Sequence, residues 1–166
     1  MDADLRVNAL YLSSRLRSRL ADAARCPVTT IIAPTGYGKT TAAQYLQRRI
    51  AAEAPDAYLF RQFLSGGGRQ EFWAGLCRAL HTAPQLPAQL RALGYPDSPH
   101  TRQQLLELVQ DALAGKPPVW FILDDVHLLS GGEAAELVSF LAERLPPQAH
   151  LILLSRNQIF SAAQKL

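Results

Sequence analysis

A glycine-rich loop carries the clearest chemical pattern in this sequence. It reads Ala-Pro-Thr-Gly-Tyr-Gly-Lys-Thr over residues 33–40 and lies between an apolar, β-branched run and a stretch of helical periodicity. This is a Walker A pattern with alanine at its first glycine position. Glycines let backbone N–H groups surround a phosphate, the lysine can reach the β- and γ-phosphates, and the threonine hydroxyl can bind Mg²⁺. The residues predicted to bind nucleotide are Thr35, Gly36, Tyr37, Gly38, Lys39, Thr40 and Thr41, with the Tyr37 side chain expected at the loop surface. The alternative is a tight strand-to-helix turn with a solvated lysine.

An acid pair, Asp124 and Asp125, follows the apolar run Trp-Phe-Ile-Leu at 120–123. Two carboxylates at the end of an apolar strand repel each other and are costly to desolvate unless a positive charge lies nearby. A Mg²⁺ ion that bridges phosphate oxygens supplies this charge. We therefore expect Asp124 and Thr40 to bind the metal, Asp124 directly or through water, and Asp125 to polarise the attacking water. The alternative is that both aspartates are ordinary turn residues or the N-cap of the next helix. His127 could hydrogen-bond near the site, but a structural role is favoured.

Arg156 follows another apolar run, at 151–154. If this strand inserts between the first and third strands, Arg156 emerges beside the γ-phosphate. There its guanidinium could distinguish a triphosphate from a diphosphate, because its planar fork matches phosphate oxygens. The alternative is a solvated arginine just past a strand.

Positioning these residues requires an alternation of strands and helices. Strands are predicted at 28–33, 57–64, 119–123 and 151–154, and helices at about 13–24, 40–53 and 69–81 and after capping boxes at 101–104 and 130–133. Four prolines within 82–100 are expected to break regular structure. Strands that are apolar on both faces, separated by helices, predict a parallel α/β sheet covered on both faces. In such sheets ligands bind at the carboxyl ends of the strands, where all three polar segments lie.

Composition agrees with one globular domain over 1–166, with a helical lead-in at 1–26 and a nucleotide-binding core at 27–156. Apolar residues make up 48% and charged residues 19%, and the net charge of +3 is too small to argue for nucleic-acid binding. The two cysteines have no CxxC or Cys/His companions, so a disulfide or a structural zinc is not expected. Because no apolar leader or membrane-length apolar run occurs, we expect a soluble, cytoplasmic protein without membrane contact.

Four segments together resemble a known family. APTGYGKTT, QEFWAGLCRAL, VWFILDDVHLL and LPPQAHLILLSR, in this order, are similar to the large ATP-binding transcriptional regulators of the LuxR type (the MalT-like regulators), which belong to the STAND class of P-loop NTPases. The resemblance runs from about 12 to 156. It implies a three-layer ASCE-type P-loop fold, phosphate and magnesium roles for Lys39 and Thr40, Walker B roles for Asp124 and Asp125, and a sensor role for Arg156. It also implies that ATP or ADP, with Mg²⁺, acts as a switch that gates self-association and transcription.

The sequence departs from that family in two respects. Related NTPases have the strand order 5-1-4-3-2, and we expect the fifth strand and the helical lid to be lacking, as in a truncated chain. DNA contact is then expected only through domains absent from this sequence, and nucleotide affinity and ATPase activity should be weak. A small-molecule phosphotransferase, or a nucleotide-independent scaffold that associates through an exposed sheet edge, are the alternatives.

Overall fold

A computed structural model of the chain describes residues 12–79, 86–129 and 132–158. The strands are β1 (Val28–Ile32), β2 (Tyr58–Phe63), β3 (Val119–Asp124) and β4 (Ala149–Ser155). The helices are α1 (Ser14–Ala23), α2 (Lys39–Glu53), α3 (Gly68–Ala79), α4 (Leu86–Leu93), α5 (Pro99–Leu113) and α6 (Glu133–Arg144), with a short 3-10 helix at Val126–Leu129. All four predicted strands are confirmed to within two residues at each end.

The strands form one parallel sheet with the order β1-β4-β3-β2. The fourth strand of the chain therefore lies between the first and the third, as predicted. In the register Ile32 pairs with Ser155, and Phe63 pairs with Asp124. Because the strands are parallel, their carboxyl ends lie along the same edge of the sheet. The glycine-rich loop, the acid pair and Arg156 all leave the sheet at this edge.

The two faces of the sheet bury two separate apolar clusters. Val119, Phe121 and Leu123 of β3 face the larger cluster, which is completed by α3, α4, α5 and α6. Trp120 and Ile122 face the smaller cluster, which is completed by α1 and α2. This alternation is the period-two pattern of a strand buried on both faces. The sheet is thus covered by helices on both sides, as in the predicted three-layer architecture.

Helix α1 is held against the edge where the strands begin. The indole N–H of Trp120 donates to the Ala24 carbonyl at 3.0 Å, and the Thr29 hydroxyl donates to the Ala23 carbonyl at 2.6 Å. These bonds satisfy carbonyls at the end of α1 that have no partner inside the helix. Leu20 buries its side chain in the smaller cluster. The described part of the predicted lead-in therefore packs on the sheet.

The proline-rich segment differs from the prediction, because α4 forms within it. Pro87 is the second residue of α4 and Pro99 the first residue of α5. First-turn N–H groups have no partner within a helix, so proline is tolerated there. The capping box of α5 is formed by Ser98 and Thr101, so the prediction that a capping box opens at Thr101 was wrong.

Two other expectations concern residues that the structure does not describe. Residues 130 and 131 of the capping box predicted before α6 lie outside the described ranges; the N-cap, Gly132, makes no side-chain hydrogen bond. Residues 80–81, where α3 was predicted to end, and residues 159–166, which follow Arg156, also lie outside them. Within the described ranges, no helix has the length and apolar character that crossing a membrane requires.

Candidate functional site

The glycine-rich loop connects β1 to the first turn of α2. Gly36 and Gly38 adopt φ angles of 84° and 82°, in the left-handed region that side-chain-bearing residues rarely occupy. Gly38 is the N-cap of α2 and has no side chain to bond the first N–H groups, and the first turn of α2 contains no acidic residue. The amino terminus of a helix attracts anions through its N–H groups and its dipole. The local structure is therefore suited to a phosphate group.

The ammonium group of Lys39 lies over this loop. It donates to the Ala33 carbonyl at 2.8 Å and to the Pro34 carbonyl at 3.4 Å. The N–H of Ala33 in turn donates to the Ser155 carbonyl at 3.1 Å, which links the start of the loop to the end of β4. The lysine is thus positioned beside the strand that Arg156 follows.

Asp124 ends β3, whose residues are all buried, and is itself only 5% exposed. Its Oδ1 accepts the N–H of Asp125 at 3.0 Å, and its Oδ2 accepts from Nη2 of Arg61 at 2.5 Å. A buried carboxylate requires such hydrogen bonds and a positive partner. Side chains alternate between the two faces along β3, so Asp124 points to the same face as Ile122 and to the opposite face from Leu123. This is the face that α2 covers.

Asp125 is the one non-glycine residue among those described with a positive φ, 58°. Aspartate tolerates this left-handed conformation better than most residues, although it still costs on the order of 1 kcal/mol. Its Oδ1 lies 3.6 Å from Nε of Arg156 and 3.7 Å from Nδ1 of His127. The unusual backbone thus directs this carboxylate toward the end of β4.

Arg156 leaves the sheet through a side-chain turn at the end of β4. The fully buried hydroxyl of Ser155 donates to the Asn157 carbonyl at 2.5 Å and accepts the Asn157 N–H at 3.2 Å. The Arg156 side chain is half-exposed and approaches Asp125. The structure therefore brings Arg156 and the acid pair together.

The remaining residues predicted to bind nucleotide lie on the loop and the first turn of α2. Thr35, Tyr37 and Thr40 are exposed and Thr41 is half-buried. The Tyr37 side chain is 77% exposed, which agrees with its predicted place at the loop surface. Their proposed contacts with nucleotide stay predictions.

Arg61, which bonds Asp124 from β2, is not among the site residues predicted from the sequence. Its Nη1 lies 3.4 Å from Oε1 of Gln47 on α2, and its guanidinium lies 4.5 Å from the centre of the Phe63 ring. The available signal was an arginine within an otherwise apolar strand run, Tyr-Leu-Phe-Arg at 58–61. Because β2 neighbours β3, that charge lies beside the acid pair once the strands pair.

These contacts form a continuous path around the carboxyl edge of the sheet. It runs from Lys39 through the Ala33 backbone to the end of β4, from Arg156 to Asp125, and from Asp124 through Arg61 to α2, the helix that Lys39 begins. Each predicted strand end is therefore connected to the others by described hydrogen bonds or ion pairs.

The donor chemistry at this edge fits a nucleotide with Mg²⁺. Mg²⁺ binds oxygen ligands and keeps several waters, so that one or two protein oxygens suffice. The Thr40 hydroxyl and the Asp124 carboxylate are the residues that would hold it, and Lys39 and the first N–H groups of α2 would hold phosphate.

Together, the parallel sheet, the glycine-rich loop after β1 and the acid pair after β3 define a P-loop NTPase domain. The sequence profile of the AAA domain family matches residues 22–155, and the chain belongs to this family. Membership implies nucleotide binding, usually with Mg²⁺.

The chain is also similar to the HTH-type transcriptional regulator MalT of Serratia proteamaculans (strain 568), with 27% identity over 158 residues. This match covers 92% of the chain but 17% of the relative, so the chain spans less than a fifth of the length of that regulator. Among solved structures, that of C. elegans PCH-2 is similar at 15% identity and a TM-score of 0.48, over 90% of this chain and 39% of that one.

Proposed function

We propose that this chain is the ATP/ADP-binding switch module of a STAND-class, LuxR-type transcriptional regulator, with weak ATPase activity. The observation that carries the proposal is the connected path of contacts that joins Lys39, Arg156, Asp125 and Asp124 at one edge of the sheet. The similarity to the regulator MalT supports the regulatory role.

Each of these residues has a distinct part in the proposed reaction. Lys39 and the first turn of α2 bind the phosphates, and a Mg²⁺ held by Thr40 and Asp124 would supply neutralisation of the phosphate charge. Asp125 polarises the water whose oxygen bonds to the γ-phosphorus as the bond to the β–γ bridging oxygen breaks, which releases ADP and phosphate. Asp125 is the better placed of the two carboxylates for this part, because Asp124 is buried and doubly hydrogen-bonded.

Arg156 is proposed to sense the γ-phosphate. Its half-exposed guanidinium is anchored near the acid pair by Asp125, so that a third phosphate beside it would add a strong electrostatic contact that ADP lacks. A switch requires such a differential interaction between its two ligands. Arg156 therefore provides a physical basis for distinguishing ATP from ADP.

The proposal is tested by measuring the affinities for ADP and for a non-hydrolysable ATP analogue, each with Mg²⁺. Arg156→Gln should lower the affinity for the ATP analogue by roughly tenfold and leave that for ADP nearly unchanged. Arg144→Gln, which removes an exposed arginine from the end of α6, is the matched control and should change neither affinity. Equal losses for both nucleotides would contradict the sensor role.

The switch itself is tested by sedimentation of the chain with each nucleotide. Self-association should differ between the ATP-analogue and ADP states and lose this difference in Lys39→Ala. Association that is the same with and without nucleotide would instead support a scaffold role.

A further inference from the structure

Arg61 occupies an unusual place for a charged side chain. It lies within β2 on the face that α2 covers, and only 12% of its side chain is exposed. The Phe63 ring lies 4.5 Å from its Cζ atom on that face. Its buried Nε has no hydrogen-bond partner among the residues that the structure describes. Burial of a guanidinium in this way is costly unless a specific opposite charge compensates for it.

That opposite charge is the predicted magnesium ligand. Nη2 of Arg61 lies 2.5 Å from Oδ2 of Asp124, and the other oxygen of Asp124 already accepts the N–H of Asp125. Both oxygens of the carboxylate are therefore engaged by protein donors. A metal ion and a guanidinium compete for the same carboxylate, because both are positively charged and repel each other at this short distance.

From this geometry we propose that Arg61 is a positioning residue that holds the Asp124 carboxylate until Mg²⁺ displaces it. Arg61 thereby sets the Mg²⁺ concentration at which nucleotide binding becomes complete. The guanidinium keeps two other contacts when it leaves Asp124, namely Gln47 on α2 and the Phe63 ring. This inference rests on the nucleotide site proposed above and concerns how that site is regulated.

Displacement of the Arg61 guanidinium by Mg²⁺ means that Arg61 affects the site in two ways. Without the metal, its charge stabilises an otherwise unpaired buried carboxylate and keeps it correctly oriented. When the metal arrives, the same charge opposes metal binding, so that the affinity for Mg²⁺ is lower than Thr40 and Asp124 alone would provide. Occupancy of the site then responds to Mg²⁺ as well as to nucleotide.

The experiment titrates Mg²⁺ at a fixed concentration of fluorescent ADP and measures binding by anisotropy. Arg61→Gln should lower the Mg²⁺ concentration at half-maximal binding by roughly tenfold, because a charge within 4–6 Å shifts an ionic equilibrium by about one log unit or more. It should not strengthen ADP binding in EDTA. Arg49→Gln is the matched control: it removes an arginine paired with Glu53 on α2, about 13 Å along the helix from Thr40, and should leave the midpoint unchanged.

An unchanged or raised Mg²⁺ midpoint in Arg61→Gln, while the unaltered chain binds ADP normally, would overturn this inference alone. Failure of the unaltered chain to bind ADP at any Mg²⁺ concentration would overturn the proposed function and the inference together.

A second measurement does not depend on whether Arg61→Gln folds. The side-chain Nε–H signal of Arg61 is recorded by ¹⁵N NMR in the unaltered chain and assigned from its absence in Arg61→Lys. It should shift when ADP and Mg²⁺ are both present and remain in place with ADP and EDTA. A signal that stays unchanged with saturating Mg²⁺ and ADP would overturn the inference.

Discussion

The two faces of the sheet differ in what they bury. The face covered by α3 to α6 holds the larger apolar cluster, whose buried members include Phe72, Leu105 and Leu137. The face covered by α1 and α2 holds the smaller cluster and, at the carboxyl edge, the ion pair between Arg61 and Asp124. The face with the larger cluster therefore provides most of the apolar packing. The face with the smaller cluster places charge where phosphate and metal are expected. Substitutions in the larger cluster should therefore change stability alone, whereas substitutions of the Arg61–Asp124 pair should change both stability and ligand binding.

The largest effect is expected at Phe72, the bulkiest of the fully buried side chains in the larger cluster. Phe72→Ala should lower the free energy of unfolding by about 4 kcal/mol, because it removes buried apolar surface and leaves a cavity. Leu16→Ala, at a position on α1 that is 40% exposed, is the control and should cost less than about 1 kcal/mol. Urea denaturation measures both. Similar losses for the two variants would contradict the packing role assigned to Phe72 in the larger cluster.

On the face with the smaller cluster, Arg61→Met should destabilise the nucleotide-free chain by about 2 kcal/mol, because it leaves Asp124 buried without its cationic partner. The double variant Arg61→Met/Asp124→Asn should recover much of this loss. Together with Asp124→Asn alone, these variants form a double-mutant cycle, measured by urea denaturation. Additive effects of the two substitutions would show that the pair contributes no coupling.

A smaller, pH-dependent effect is expected at Glu71, in the first turn of α3. The Ser65 hydroxyl and then the Gly67 N–H, which lies 2.7 Å from Oε2, lower the pKa of Glu71 from its ordinary value of 4.5. The contribution to stability is present above the ordinary pKa and is lost as the pH falls through the lowered value. Glu71→Gln should therefore weaken the dependence of the melting temperature on pH in this acidic range. The same fall in melting temperature at acidic pH in Glu71→Gln and the unaltered chain would contradict this role of Glu71.

The smallest effect at neutral pH is expected at Tyr95, which packs against the larger cluster and contacts Trp73. Its buried hydroxyl has no hydrogen-bond partner within the described ranges, so Tyr95→Phe should change stability at pH 7 by less than about 0.5 kcal/mol.

At alkaline pH the same substitution should have a measurable effect. Burial, with a smaller contribution from the charge of Glu133, raises the pKa of Tyr95 to about 12. The contribution of the neutral Tyr95 side chain to stability is fully present below the ordinary pKa of 10.0 and is lost as the pH rises through the raised pKa. Tyr95→Phe should therefore reduce this loss of stability at alkaline pH. Tyr37→Phe, in the exposed loop, is the control and should leave the alkaline melting curve unchanged. An equal alkaline loss in Tyr95→Phe and the unaltered chain would contradict the role of Tyr95.

Much of the fold could be predicted because the central strands are apolar on both faces. Residues 119–123 and 151–154 have no polar side chain apart from the indole N–H of Trp120, so that a buried parallel sheet was the physical solution. Helix α4 could not be predicted by treating prolines as helix breakers, since Pro87 falls in the first turn, where its missing N–H costs little.

The candidate site could be predicted only in part. Asp124 and Arg156 lie at the ends of their strands, and Lys39 follows the short loop after β1, so their shared edge follows from parallel pairing alone. Arg61 lies inside a strand, and its contact with Asp124 depends on which strand neighbours β3 and on the register of that pair. Neither is determined by local periodicity, and only the three-dimensional arrangement shows that the acid pair has a cationic partner.

The most direct test of the shared site is calorimetric titration of ADP with Mg²⁺ into the unaltered chain and into Lys39→Ala. We expect saturable binding to the unaltered chain and its loss in Lys39→Ala, with the melting temperature of the ligand-free variant nearly unchanged. Equal affinities in the two proteins, or no binding to either at millimolar ADP, would contradict it.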